Sequence, residues 1–305
     1  MNTNWKSPWT KTVRIPSCGE MTPFFFKGKE YRVVNRKNIA AYKCYPESFP
    51  DKGIHDDHFE IYNVEEDRIM SAPLYNCYFA SAFVHDGRVY CFCIDYELDR
   101  PWWTARRLLM LSSDDLITWT RPMAVIEAES NESLFNTAVT YDGEKFVMLY
   151  ESDDPQYKPK FTFKFAVSKD LIHWEKVRDA VYGRNKYVGG PALEFFDGWY
   201  YVTYVNIFPN PVDGRDNYDT RIARSRDLVN WEDAPEGRSV LMPTYTYPDP
   251  TRPHLCEVNA SDAEYLEKDG KVVVFWNGGD QENLGGAYMS ECPGTLKELF
   301  ESFFK

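Results

Sequence analysis

SRDLVNWE, residues 225–232, is written in this chain three times. SKDLIHWE fills 168–175 and SDDLITWT fills 113–120, so Ser-x-Asp-Leu-x-x-Trp returns at intervals of 55 and 57 residues. An interval of that size marks a supersecondary unit that buries its apolar face against copies of itself. Ser and Asp at the head of the pattern bond nearby backbone and favour a turn. The tryptophan that follows supplies a broad apolar plate.

Upstream of each copy stands a second repeated feature. FASAFVHDGRVYCFCI (79–94), FNTAVTYDGEKFVMLY (135–150) and GPALEFFDGWYYVTYV (190–205) are alternating apolar runs joined at Asp-Gly. DAEYLEKDGKVVVFW (262–276) is a fourth copy, and TPFFFKGKEYRVV (22–34) a fifth in which Lys-Gly replaces Asp-Gly. Asp-Gly between β-formers predicts a hairpin, because a type I′ turn needs positive φ at both central residues. The turn glycines stand at 28, 87, 143, 198 and 270. Five such units, each with two hairpins, predict an all-β chain folded as a five-bladed β-propeller. The expected blades lie around 20–75, 76–130, 131–185, 186–245 and 255–292 of one domain spanning 1–305. Trp119, Trp174 and Trp231 are expected to pack between blades. The tail GTLKELFESFFK (294–305) has the apolar spacing of a short helix, to be packed on the last blade or to close the ring.

Composition agrees with this and narrows the function. Aromatics are 16% of the 305 residues, a load that suits β-structure and stacking surfaces. The net charge of −12 argues against nucleic acid and against an anionic membrane surface, both of which need basic patches. The N-terminus MNTNWKSPWTKTVRIPS has no apolar core of a leader, which predicts a cytoplasmic protein. Seven cysteines without paired CxxC spacing are expected to be reduced thiols, and no metal or cofactor is expected. The polar loop HDDH (55–58) is expected to be solvated. Monomer and homo-oligomer are left equally open.

The loops that follow the second strand of each unit are long and polar, among them DYELDRPWWTARR, ESDDPQYKPK, NIFPNPVDGRDNYDT and NGGDQENLGG. A functional mouth is expected on their side. Eight residues before each turn glycine lies the start of the inner strand, at Glu20, Phe79, Phe135, Gly190 and Asp262. Two carboxylates at equivalent places in the first and last blades are candidates for the acid and base of glycoside cleavage. Glu257, in CEVNASDAE (256–264), is a third catalytic candidate. Glu132, placed like Glu257 just before an inner strand, is a weaker one. Asn136, Arg252, His254, Asn259, Asn277, Asp280 and Trp103 are the expected substrate-binding residues, the tryptophan by stacking on a sugar face. Nothing resembles a Ser-His-Asp triad, a P-loop or a dinucleotide fingerprint.

These repeats resemble the five-bladed glycoside hydrolase superfamily of families 32, 43, 62, 68, 117 and 130, which includes arabinanases, xylosidases, invertases and mannoside phosphorylases. The resemblance implies the propeller, a glycosidic substrate and catalysis by carboxylates. In the family 43 pattern an Asp-Pro opens the first inner strand and supplies the base; here that place reads Glu20-Met21. The second blade offers Ala80-Ser81 where the pattern has an acid, and the fourth offers Gly189-Gly190-Pro191 without the glutamate. The expected function is an exo-acting glycosidase on a small saccharide, with Asp262 or Glu257 as acid and Glu20 as base. Alternatives are a phosphorylase of the same fold, using Arg106, Arg107, Arg221 and Arg252 on phosphate, and a non-catalytic sugar-binding propeller.

Overall fold

The computed structural model describes residues 6–15, 20–37, 57–97, 103–129, 131–210, 214–247, 251, 255–281 and 285–305. Four of the five hairpin turns have the backbone their sequence demands. Lys27-Gly28, Asp86-Gly87, Asp197-Gly198 and Asp269-Gly270 each place both residues at positive φ, between 47° and 78°. The Asp142-Gly143 turn departs from this. Only Gly143 is left-handed, and the loop runs four residues from Asp142 to Lys145. Asp142 Oδ1 accepts the backbone N–H of Glu144 and of Lys145, building an Asx turn in place of the two-residue one.

These hairpins extend into five antiparallel sheets of four strands. The first holds β2 (Met21–Phe26), β3 (Lys29–Arg36), β4 (His58–Asn63) and β5 (Arg68–Tyr75). The second holds β6 (Cys77–His85), β7 (Arg88–Asp95), β8 (Arg107–Ser113) and β9 (Met123–Glu127). The third holds β10 (Leu134–Tyr141), β11 (Phe146–Ser152), β12 (Thr162–Ser168) and β13 (Trp174–Tyr182). The fourth holds β14 (Gly189–Phe196), β15 (Trp199–Pro209), β16 (Asp216–Ser225) and β17 (Trp231–Asp233). The fifth holds β18 (Ser261–Lys268), β19 (Lys271–Gly279) and β20 (Gly285–Pro293), and its outer strand is β1 (Lys11–Ile15) from the N-terminus. The fold is a five-bladed β-propeller. Two compact units divide the chain: residues 18–186 carry the first three sheets, and 1–17 with 187–305 carry the other two.

The Ser-x-Asp-Leu-x-x-Trp stretch is the turn between third and fourth strands, and its chemistry is the same in all three copies. In the last, Ser225 Oγ accepts the N–H of Asp227 and of Leu228 and donates to Asp227 Oδ1. Asp227 Oδ1 in turn accepts the N–H of Val229 and of Asn230. Leu116, Leu171 and Leu228 all sit at φ of 65–66°, buried, so the turn is knotted around an apolar peg. Those backbone donors hold the Asp115 and Asp227 carboxyls down at about 2. Trp119 donates its indole N–H to Ser71 Oγ on the neighbouring sheet at 3.1 Å, and Trp174 meets Phe92 edge-on at 6.2 Å. Ser225 is fully buried. Ser225→Ala, which strands two backbone donors, is expected to lower stability by about 1–2 kcal/mol. A chemical-denaturation midpoint unmoved by the change would refute this account of the turn.

Two further differences from the sequence reading have simple causes. NIFPNPVDGRDNYDT is largely strand: β15 and β16 continue pairing from Asn206↔Asp219 out to Pro209↔Asp216. The alternation Ile207, Phe208 against Tyr218, Asn217 sustains the ladder, leaving a short connection. The C-terminal helix α1 (Leu296–Ser302) starts in a capping box, with Thr295 Oγ1 accepting the Glu298 N–H at 3.2 Å and the Thr295 N–H reaching Glu298 Oε2 at 3.0 Å. It docks on the fifth sheet, where Phe300 meets Tyr265 edge-on at 5.0 Å. Among the described residues no helix is long and apolar enough to cross a membrane.

Candidate active site

The inner strands of four sheets are irregular at the very residues singled out by counting back from the turns. Pairing shifts register between Tyr78 and Ser81, Leu134 and Thr137, Gly189 and Ala192, and Ser261 and Glu264. Each shift is a β-bulge, a device that re-aims a side chain at the cost of ladder bonds. Phe79, Gly190 and Asp262 occupy the bulges at φ of 52°, 51° and 53°. Left-handed backbone is tolerable for Gly and Asp and strained for Phe, and strain of this kind gathers at functional positions.

In the unit formed by 1–17 and 187–305, Asp262 is the centre of a polar cluster. Its Oδ2 accepts Ser261 Oγ at 2.5 Å and Asn277 Nδ2 at 3.2 Å. Its Oδ1 lies against Gly190: a Cβ built there would come within 2.4 Å of that oxygen and 3.3 Å of the Asp262 Cα. Asn259 is only 2% exposed, and its amide is given to Ser261 Oγ and to the carbonyls of Asn277 and Gly278. It holds Ser261 in place and has little surface left for a ligand. Gln281, unnoticed in the sequence, donates to Asn259 Oδ1 at 2.9 Å. Asn277 and Asp280 keep partial exposure at the end of β19.

Glu257 stands apart from the role expected of it. Its side chain is fully enclosed. Oε2 accepts Thr244 Oγ1 at 2.6 Å, Thr246 Oγ1 at 2.9 Å and the Tyr288 hydroxyl. Arg14 Nη2 approaches Oε1 at 3.8 Å. The carboxylate ties Thr244 and Thr246 to Tyr288 on β20 of the fifth sheet, and its side chain has no exposed surface in this arrangement. Glu132 in the third sheet is likewise buried, bonded to Lys164 Nζ at 2.5 Å and Ser152 Oγ at 2.6 Å. A sequence shows an acid before a strand; only packing shows that these two acids face inward to hydroxyls and an ammonium.

In the unit 18–186 the corresponding strand starts are aromatic. Phe79 meets Trp103 at 5.5 Å and Phe135 at 6.0 Å, and Phe135 meets Phe161 at 4.8 Å. Trp103 is 41% exposed, so one large ring of this cluster is open to solvent. Asn136 is partly exposed and donates to the buried Glu151 Oε2 at 3.1 Å. Glu20 is partly exposed, and its carbonyl accepts the Asn35 backbone N–H at 2.9 Å just ahead of β2. Arg252 and His254 lie outside the described residues, as do His55 and Asp56 of the HDDH loop.

One acid on the inner strand was missed. Glu194, on β14 four residues past Gly190, is partly exposed as a residue while its carboxyl is closely enclosed. That burial, with the Glu267 carboxylate nearby, pushes it up to about 7. The folded state therefore holds this proton more tightly than the unfolded chain. Its contribution is constant below the ordinary value of 4.5, and stability is lost as pH rises from there to about 7. With allowance for its exposure, the expected loss is on the order of 2 kcal/mol. Glu194→Gln should flatten a denaturation profile taken between pH 5 and 8; an unchanged slope would place the proton elsewhere.

No protein-family model matches the chain. Its sequence is 31% identical over 188 residues to a β-1,2-mannobiose phosphorylase of Thermoanaerobacter sp. (strain X514), covering 55% of this chain and 54% of that one. It is 26% identical over 125 residues to a 1,2-β-oligomannan phosphorylase of the same strain, covering 37% and 41%. The matched stretch thus spans about half the length of these curated relatives. Among solved structures a glycoside hydrolase superposes with a TM-score of 0.64 at 17% identity, covering 95% of this chain and 93% of that one. In fold, the chain is a five-bladed β-propeller of the kind found in glycoside hydrolases, as its repeats suggested.

Proposed function

We propose that the chain is an enzyme cleaving the terminal glycosidic bond of a small saccharide, with Asp262 as the acid that protonates the leaving oxygen. The observation that carries this is the bulge at Asp262, whose left-handed backbone and flush contact with Gly190 present a single half-exposed carboxyl. Ser261 and Asn277 occupy Oδ2, which leaves Oδ1 to carry the proton. Water is the acceptor in the leading reading. Attack at the anomeric carbon breaks the bond to the leaving oxygen, which takes the Asp262 proton, while a second carboxylate takes the proton of the water. Glu20 is our assignment for that base, from its place in the repeat. The ring of Trp103 offers an apolar face for a sugar. The five described cysteines carry free, buried thiols, which suits a reducing compartment and supports a cytoplasmic site of action.

Phosphate as acceptor is the second reading, favoured by the names of the two curated relatives. Against it, the candidate arginines that can be seen already have partners. Arg106 donates to the carbonyls of Glu132 and Ala128 and Arg107 to Asp95, while Arg221 is joined through Nε to the buried Asp219 carboxylate, which offsets its charge. Aryl glycosides of both anomers and β-1,2-mannobiose, assayed with and without inorganic phosphate, decide between the two. Free sugar formed without phosphate is the expected result. A sugar 1-phosphate formed only when phosphate is present would replace hydrolysis by phosphorolysis. Saccharide binding without any turnover would make the chain a binding propeller.

A further inference from the structure

A cavity of about 560 Å³ lies between the outer parts of the fourth and fifth sheets, away from the inner strand starts. One wall is β16 with the segment 237–244; the other is Trp9, β1 and β20. Alternation along β16 puts Asp219 and Arg221 on the cavity side. Thr220, between them, points the other way and donates to the Ala260 carbonyl at 2.9 Å. The site is therefore separated from Asp262 by the strand itself.

Its polar groups are built and fixed. Asp219 is buried and accepts Asn206 Nδ2 at 2.9 Å, Arg221 Nε at 2.5 Å and Ser239 Oγ at 2.5 Å. Arg221 is held through Nε alone, and its two terminal nitrogens have no partner among the described residues. Thr12 Oγ1 and Ser290 Oγ pair across the opposite wall at 2.9 Å. The indole N–H of Trp9 is taken by the Val240 carbonyl and that of Trp276 by Ser290 Oγ, so both tryptophans are locked in orientation. Among the described residues, Asp219 and Arg221 are the only charged ones lining the cavity, and they neutralise each other. An anion would meet no net positive charge there. A neutral polyhydroxylated ligand would meet a guanidinium fork, several hydroxyls and aromatic side chains in a volume typical of small-molecule sites.

We infer that this cavity is a second saccharide site, taking a neutral sugar unit through the terminal nitrogens of Arg221 and the hydroxyls of Ser239, Thr12 and Ser290. The inference stands on the chemistry of the cavity and does not need the funnel to be catalytic. Arg221→Lys keeps a cation beside buried Asp219 while removing the fork. Met242→Trp, at a rim position 48% exposed, crowds the mouth without breaking a bond in the cavity. Titration calorimetry on the Asp262→Asn background, which stops turnover under the reading above, uses β-1,2-mannobiose, xylobiose, mannose and arabinose as probes. Two binding events are expected for at least one probe, one of them weakened at least about tenfold by Arg221→Lys and by Met242→Trp, the other untouched. If Arg221→Lys does not fold, Met242→Trp alone decides. A single event weakened by both variants would still place a saccharide in this cavity. A single event indifferent to them, no binding by any probe, two events both indifferent to the variants, or inorganic phosphate taking the Arg221-dependent event would each overturn the inference. Turnover plays no part in this readout, so failure here and failure of the catalytic reading are told apart.

Discussion

Asp262→Asn is expected to lower kcat/KM by about 10²–10⁴-fold, the range for loss of a positioned general acid. The thermal midpoint should move little. Asn is isosteric, and its oxygen can still accept Ser261 Oγ and Asn277 Nδ2 while its amide nitrogen takes the place of Oδ1 beside Gly190. The chemistry is lost while the packing is kept. Because the acid assists departure of the leaving group, the loss should be smallest with aryl glycosides whose phenol leaves without help. Glu20→Gln, assayed beside it, should show no such dependence on the leaving group, since the base acts on water. Activity of Asp262→Asn within about tenfold of the parent would remove Asp262 from the machinery and leave the propeller standing.

Gly190→Ala is expected to damage both folding and catalysis, for separable reasons. The backbone at φ +51° disfavours any side chain, an expense of about 1–3 kcal/mol. Beyond that, the new methyl would lie 2.4 Å from Asp262 Oδ1 and 3.1 Å from Val205 Cγ2, so the carboxyl must move. Displacement of a catalytic group by about 1 Å can lower the rate about 10²-fold. Gly270→Ala is the control. It stands in the same unit at φ +71°, with nothing within 4 Å of the added methyl. It should lose comparable stability and keep full activity. Equal losses of activity in the two variants would mean that Gly190 matters only as backbone and that its contact with Asp262 has no catalytic meaning.

The architecture was legible in the chain because its signals are local and repeated. A type I′ turn needs left-handed residues at adjacent positions, and Asp-Gly is among the few pairs that accept it. Ser-x-Asp-Leu-x-x-Trp encodes its own turn within eight residues, through bonds that reach no further than three positions. Five hairpin turns, with glycines 55 to 72 residues apart, then leave little choice of fold. Counting from the turns also located the inner strand starts, and with them the bulge at Asp262, because register carries over from one copy to the next.

What the local pattern does not contain is which polar side chain faces water. Glu257 and Asp262 sit five residues apart in one acidic segment, yet one is fully enclosed by Thr244, Thr246 and Tyr288 while the other keeps surface beside Gly190. Those partners come from elsewhere in the chain, so their approach is decided by packing. The same holds for β1, whose five residues look unremarkable until they pair with β20, and for Asp219 and Arg221, which become a cavity wall only when β1 and β20 stand opposite. Turn chemistry lies within a few residues and can be read along the chain. The burial of a carboxylate depends on side chains that meet only when separate strands fold together, and only the tertiary structure decides it.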